Sequence, residues 1–100
     1  MDTDEASRTL FGRWSALRIY RAVAETGTGD FSSGDVVAAS QVPAWHVSRE
    51  LGRLERLGLL TRSDRQGLFR RSDLTQFWKF SHALSEHWLG DTDGSDDDKR

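Results

Sequence analysis

A short interruption between two helical segments places the strongest limit on how this chain can fold. Ser32 and Asp35 have the spacing of a capping box, which starts a short helix over residues 34–39. Residues 40–42 then break that helix, and Pro43 follows where its missing N–H costs nothing, at the start of the next helix. Because two helices joined by three or four residues have few ways to pack, the pattern predicts a helix-turn-helix.

The second of these helices is predicted over residues 44–57 and is amphipathic. Its apolar positions repeat every three or four residues, at Val47, Leu51, Leu54 and Leu57. Its opposite side carries polar and charged residues, namely His46, Arg49, Glu50, Arg53 and Arg56. Gly58 is typical of a helix C-terminus. Gly52 costs about 1 kcal/mol relative to alanine in mid-helix, so we expect it to pack closely against another element.

Helical and extended patterns flank this pair of helices. A helix is predicted over residues 7–25, with apolar residues around much of its circumference. Phe31 can form a short edge strand after it. Extended runs at residues 59–62 and 68–71 flank a loop in which Gly67 marks a hairpin. A last helix follows, with an N-cap at residue 72 or 73 and an end at residue 90.

The chain therefore divides into four predicted parts. Residues 8–72 are predicted to form a winged helix-turn-helix, mainly α with a small β-hairpin wing, and together with the C-terminal helix the order is α-α-α-β-β-α. Residues 73–90 form a C-terminal helix with more aromatic side chains than one stripe of a small monomer needs, which predicts a dimerisation helix. Residues 1–7 and 91–100 are acidic and are predicted to be disordered.

The basic charge is concentrated in one stretch, although the formal net charge of the chain is −2. The first seven and the last ten residues each carry −3, so that residues 8–90 carry +4. Residues 43–71 contain seven arginines and only three acidic residues. Such a stretch suits phosphates and the edges of bases. A solvated charged face is the other interpretation.

Several classes of function find no support in the sequence. Without cysteine there can be no disulfide, thiolate metal site or cysteine nucleophile. No apolar run approaches the roughly 20 residues that span a bilayer, and the acidic start is unlike a signal peptide, so we expect a cytoplasmic protein. No catalytic constellation, cofactor motif or small-molecule ligand is evident. His82 and Glu86 could share a metal ion across a dimer, but ordinary surface residues are the favoured interpretation.

Residues 47–60 read VSRELGRLERLGLL. They resemble the DNA-reading helix of ArsR-type and MarR-type winged-helix regulators, whose pattern is VSRHLxxLxxxGLV. Residues 16–25 are similar to the first helix of that family, and residues 35–40 to the helix that braces the reader. The resemblance implies a homodimeric, sequence-specific transcriptional regulator, usually a repressor. It also implies that the wing, residues 61–71, contacts phosphate or the minor groove through Arg65 with Arg62 or Arg70. The metal-sensing members carry two brace-helix cysteines, which are absent here.

Three sets of candidate site residues follow. Base readout in double-stranded DNA is expected from Ala44, Trp45, His46, Ser48, Arg49 and Arg53. Backbone contacts are expected from Ser33, Arg56, Arg62, Arg65, Arg70 and Arg71. A homodimer interface is expected from Leu10, Trp14, Phe77, Trp78, Phe80, Leu84 and Trp88.

Two questions stay open at the level of sequence. Trp45 stands where smaller or polar residues are common in the resembled family. It could pack on a sugar or a thymine methyl, cover the bracing helix, or contact another protein. The second function considered is a winged-helix protein-interaction module or adaptor subunit that does not bind DNA.

Overall fold

The computed structural model describes residues 1–63, 67–72 and 75–98, and for residues 75 and 89–98 it describes only the backbone. Within these residues the chain is mostly helical, with five helices and a small three-stranded antiparallel sheet. The helices are α1 (Thr3–Phe11), α2 (Ala16–Ala24), α3 (Ser33–Ser40), α4 (Ala44–Arg56) and α5 (Thr75–Asp98). The strands are β1 (Phe31–Ser32), β2 (Leu60–Arg62) and β3 (Leu68–Arg71).

The segment predicted as one helix over residues 7–25 forms two helices instead. Gly12 ends α1 in the left-handed conformation, with φ of 78°, and its N–H donates to the carbonyl oxygen of Arg8 at 2.8 Å. Glycine adopts this backbone conformation without the penalty that a Cβ would bring, which is why a helix can end here. The periodicity of the apolar residues continues across the break and conceals it.

Residues 1–7, which we expected to be disordered, are instead held by specific contacts. The Asp2 side chain caps α1 by accepting a hydrogen bond from the backbone N–H of Glu5 at 2.8 Å. Asp4 pairs with Arg18 of α2 through two contacts of 2.8 and 2.9 Å. Ser7 is buried, and its hydroxyl accepts from the backbone N–H of Leu17. Acidic composition indicated solvation here, but these side chains cap and join helices.

The predicted interruption between two short helices is confirmed. Ser32 and Asp35 form both hydrogen bonds of the capping box, at 3.1 and 2.9 Å. α3 ends at Gln41, which has a φ of 57° in the left-handed region. Pro43 then precedes α4, and its carbonyl oxygen accepts from the backbone N–H of Val47 at 3.1 Å. The chain thus turns sharply between α3 and α4.

The sheet has the strand order β1-β3-β2, and every neighbouring pair is antiparallel. The hairpin pairs Leu60 with Arg71, and the short edge strand expected near Phe31 pairs with β3. Phe31 lies opposite Phe69, and their rings stack with centroids 6.0 Å apart. This stack fastens the sheet to the helical core.

The core lies around α2, which packs against α1, α3, α4 and α5. Its fully buried side chains come from every layer of the fold and include Leu17, Ile19, Val23, Val36, Val47, Leu51, Leu54, Leu60 and Trp78. Trp78 of α5 packs in the core between α5 and α2, and only 1% of its surface is exposed. Burial of these side chains is the main favourable term in folding.

α5 continues to Asp98 rather than ending at residue 90. A glycine costs a helix only about 1 kcal/mol relative to alanine, which does not end a helix when no competing contact turns the chain away. Among the described residues, none of the helices combines the length and apolar character that crossing a membrane requires.

Candidate nucleic-acid interface

Contacts on either side of α4 divide its surface into an inward face, two flanks and an outward face. On one flank Arg53 pairs with Glu50 beside the turn between α1 and α2, and on the other Glu55 pairs with Arg62 of β2 at 2.9 Å. At 100° per residue, the positions between these flanks lie within a sector of about 100°. This outward face consists of Trp45, Ser48, Arg49, Gly52 and Arg56.

Glu50 is not on the exposed charged side of α4, where the sequence analysis placed it. Its side chain is 1% exposed. Arg13 donates to both carboxylate oxygens at 2.8 Å, from Nε to Oε2 and from Nη2 to Oε1. The hydroxyl of Tyr20 donates to Oε1 at 2.8 Å, and Nη1 of Arg53 donates to Oε2 at 2.9 Å. The carboxylate is buried because three donors compensate it.

These contacts shift the pKa values within the cluster. Burial of the Glu50 carboxyl raises its pKa, but the hydrogen bonds from Arg13 and Tyr20 and the charges of Arg13 and Arg53 outweigh burial, and the net pKa lies below 4.5. Burial, together with the neighbouring carboxylate, raises the pKa of Tyr20 to about 12. The hydrogen bond to Glu50 also raises the pKa of Arg13. At neutral pH the cluster therefore holds an ionised carboxylate between two guanidinium groups.

The arginines of α4 differ in whether their side chains form an ion pair within the protein. Arg53 was predicted to read bases, yet its guanidinium is bound to Glu50 and is one-third exposed. Arg49 is exposed, and its guanidinium carbon lies 5.9 Å from the centre of the Trp45 ring. Within the described part of the chain, neither Arg49 nor Arg56 forms an ion pair. These two residues are the cations that α4 offers outward.

Aromatic rings surround the N-terminal end of α4. Trp45 is 58% exposed, and its ring stacks on His46 with centroids 3.7 Å apart. Trp14, from the turn between α1 and α2, meets His46 edge-on at 5.5 Å. Ala44 and Ser48 are exposed beside them. Five of the six predicted base-reading residues are thus brought together at one end of the helix, and Arg53 lies on its flank.

Two of the arginines predicted for the hairpin are engaged by carboxylates in this chain. Arg62 pairs with Glu55 and lies 4.5 Å from the centre of the Phe69 ring, and it is 61% exposed. Arg70 is 56% exposed and pairs with Asp30 at 2.8 Å. An exposed pair such as that of Arg62 with Glu55 contributes little to stability, whereas the Asp30 side chain is only 14% exposed and also accepts a hydrogen bond from Ser63.

The remaining predicted backbone contacts differ in their accessibility. Arg71 is half-buried and donates to the carbonyl oxygen of Ala24 at 3.0 Å, which directs it towards α2. Ser33 is half-buried at the start of α3. Arg65 lies outside the described residues.

The residues predicted for a dimer interface separate into three groups. Leu10 and Phe80 are 53% and 58% exposed. Trp78 lies in the core of a single chain and has no surface for a partner, and Trp14 lies beside α4. Three residues of α5 are half-buried, namely Phe77, Leu84 and Trp88. Among the described side chains of α5, the aromatic residues are therefore buried or half-buried apart from Phe80, which is exposed.

A histidine with two carboxylates lies where α2 meets α5. Ligand atoms of Glu25, His82 and Glu86 all lie within 4.8 Å of one another. Arg21 contacts both carboxylates, at 3.5 Å to Glu25 and 2.6 Å to Glu86. A divalent ion would have to compete with this guanidinium, so the contacts favour an ion-pair network between the two helices.

Sequence reasoning missed the cluster around Glu50 and misread Gly52. Arg13 is 37 residues from Glu50, and nothing in either segment indicates the pairing. The only signal is that Glu50 directly precedes Leu51 and follows Val47 by three residues, which is the edge of the apolar side. Gly52 was expected to pack closely, but a Cβ added there would meet no atom within 4 Å. It faces open space.

No family model matches the chain, and no curated protein shows significant similarity to it. The resemblance to ArsR-type and MarR-type regulators therefore rests on the sequence patterns quoted above. The function has to be argued from the geometry and charge of α4 and its surroundings.

We predict that Glu50→Gln lowers the free energy of unfolding by about 2 kcal/mol at pH 7, because a neutral amide replaces the carboxylate that accepts charge-assisted hydrogen bonds from Arg13 and Arg53. The lowered pKa means that the carboxylate stabilises the fold above pH 4.5 and loses this effect as the pH falls through its folded value. The difference between the variant and the wild type should therefore shrink below pH 4.5 in urea titrations.

Glu55→Gln is the matched control, because it removes an exposed pair with Arg62. It should change stability by less than about 1 kcal/mol. Equal losses in the two variants would contradict the role given to Glu50.

Proposed function

We propose that this chain is a sequence-specific, double-stranded DNA-binding transcriptional regulator that binds as a homodimer with α4 in the major groove. The observation that carries the proposal is the outward face of α4, where Arg49 and Arg56 are exposed and unpaired within the described part of the chain. The family resemblance implies a repressor as the usual case. The two cations are seven residues apart, which is about 10 Å along the helix axis.

The order of the elements supports a winged helix. From α2 to β3 the order is helix, strand, helix, helix, strand, strand, and the hairpin is joined to α4 by the pair of Glu55 with Arg62. In winged helices the helix after the tight turn enters the major groove, and the hairpin lies beside it. The tight turn between α3 and α4 and the contacts between α4 and β2 support this assignment.

The hairpin arginines fit a role in contacting the DNA backbone. Arg62 and Arg70 are more than half exposed, and Arg62 pairs with Glu55 while Arg70 pairs with Asp30. A phosphate can replace Glu55 on Arg62 with little net cost, because exposed ion pairs contribute only about 0–1 kcal/mol. Binding that depends on these contacts weakens steeply as salt rises.

A homodimer is supported by the apolar side chains that the single chain leaves exposed. Leu10 of α1 and Phe80 of α5 are both more than half exposed, and α1 packs against α5. A second copy is the natural partner for a surface of this kind in a two-fold assembly. The two α4 helices would then read half-sites about 34 Å apart in a near-palindromic site.

A protein-interaction module remains the competing function, and Trp45 is the observation that favours it. An exposed tryptophan is typical of the centre of protein interfaces. A titration with mixed-sequence duplexes at low salt separates the two functions. Measurable affinity that falls with salt supports DNA binding, and the absence of any affinity leaves the interaction module.

Arg49→Ala is expected to weaken binding to the preferred duplex by about 1–3 kcal/mol and to relax one base preference. The reason is that Arg49 is exposed and points away from the core of the fold. Lys79→Ala is the charge-matched control, since Lys79 is an exposed cation on α5. Fluorescence anisotropy with the preferred and a scrambled duplex measures the affinity and the base preference of each protein. Equal affinities for the wild type, Arg49→Ala and Lys79→Ala would contradict the role of Arg49 in reading bases.

Gly52→Ala should move stability and DNA binding in opposite directions. The added methyl group meets no atom of the fold and favours the helix, so the free energy of unfolding should rise by about 0.5–1 kcal/mol. The same methyl group would stand between Arg49 and Arg56 and keep the helix from approaching the bases closely. A variant that is more stable and binds as well as the wild type would argue against an outward face buried in the groove.

Phe80→Asp is expected to convert the dimer to a monomer, because it places a charge within an apolar interface. Sedimentation equilibrium should report a monomer for this variant and a dimer for the wild type and for Lys79→Ala. Affinity for the palindromic duplex should fall towards that for a single half-site. An unchanged mass for Phe80→Asp would contradict this interface.

A further inference from the structure

We propose that the C-terminal end of α1 and the turn after it make a second DNA-backbone contact, on the side of α4 opposite the hairpin, and that Arg8 of α1 is the residue that binds the phosphate. The inference rests on the proposed function and adds a surface to it. Its basis is a cleft of about 310 Å³ between that turn and α4. The cleft is lined by side chains of Arg8, Arg13, Trp14, Trp45, His46 and Arg49, among others.

The charge of this cleft is strongly positive. Four arginines line it, and Glu50 is the only carboxylate that the described residues contribute to it. Arg13 and Arg53 already compensate Glu50, so Arg8 and Arg49 bring uncompensated charge. Arg8 is exposed and has no side-chain partner within the described residues. An anion is the occupant that such a lining favours.

The position of the cleft selects the DNA backbone as that anion. Arg62 of the hairpin lies against one flank of α4, and Arg13 lies against the other. The major groove is about 12 Å wide and has a phosphate backbone along each edge. A helix lying in the groove therefore brings its two flanks to different backbones. The hairpin side meets one of them, and the cleft meets the other.

The walls of the cleft fit a sugar-phosphate segment. Trp45 and His46 form a stacked pair in its lining, and Trp14, from the turn between α1 and α2, meets His46 edge-on. Flat apolar rings suit the faces of deoxyriboses, while arginines bind the phosphate oxygens. The bonds of Arg13 to the buried Glu50 keep the turn in place, so the wall is formed before DNA arrives.

The test compares the wild type, Arg8→Ala, Arg8→Lys and Lys79→Ala in titrations of the preferred and a scrambled duplex from 0.05 to about 0.5 M salt. Loss of one phosphate contact should reduce the slope of log K against log salt by about 0.9. A difference of 0.9 in slope means that the ratio of the wild-type to the Arg8→Ala association constant is about eight times larger at 0.1 M salt than at 1 M salt. Both duplexes should lose the same factor, since a backbone contact carries no sequence information.

The controls separate this contact from a change in folding. Arg8→Lys should keep the wild-type slope because it retains the charge, and Lys79→Ala should behave as the wild type. Thermal unfolding of Arg8→Ala should match the wild type, because the Arg8 side chain has no partner to lose. Hydroxyl-radical footprints should lose protection at one edge of the groove only.

The outcomes distinguish the two proposals. If the wild type binds no duplex at any salt concentration, DNA binding is wrong and this contact falls with it. If the wild type binds and Arg8→Ala keeps its affinity, slope and footprint, the contact at the turn is wrong while DNA binding stands. A loss confined to the preferred duplex would also overturn the contact, since it would make Arg8 a reader of bases.

Discussion

The buried carboxylate of Glu50 is the interaction on which the arrangement of α4 depends. It receives hydrogen bonds from the α1–α2 turn through Arg13, from α2 through Tyr20, and from α4 itself through Arg53. An ionised carboxylate that is 1% exposed is tolerated only when donors surround it. Because those donors come from separate segments, a rotation of α4 about its axis would leave a charge without partners.

Fixing that rotation decides which side chains α4 can offer to a partner. Glu50 holds Arg53 on the flank. The outward sector is left with the side chains of Trp45, Ser48, Arg49 and Arg56. Gly52 leaves the middle of this sector without a side chain. Its cost in helix stability is not explained by any contact among the described residues. The proposed recognition surface would account for such a glycine, since a partner can come close to the helix only where no side chain intervenes.

Local patterns predicted much of the fold. The capping box at Ser32, the break before Pro43 and the hairpin are confirmed, because each depends on residues only a few positions apart. The division of the first helix was missed because apolar periodicity runs across Gly12. The pairing of Glu50 was missed because its partner is distant in sequence, and charge patterning treats a glutamate on a helix as solvated.

The most direct measurement of DNA recognition is selection of bound sequences from a pool of random duplexes. A homodimer that reads DNA with α4 predicts enrichment of a near-palindrome whose half-sites lie about one helical turn apart. Arg49→Ala should relax the consensus at the same position in each half. A pool that shows no enrichment over the input after repeated rounds would contradict sequence-specific DNA binding by this chain.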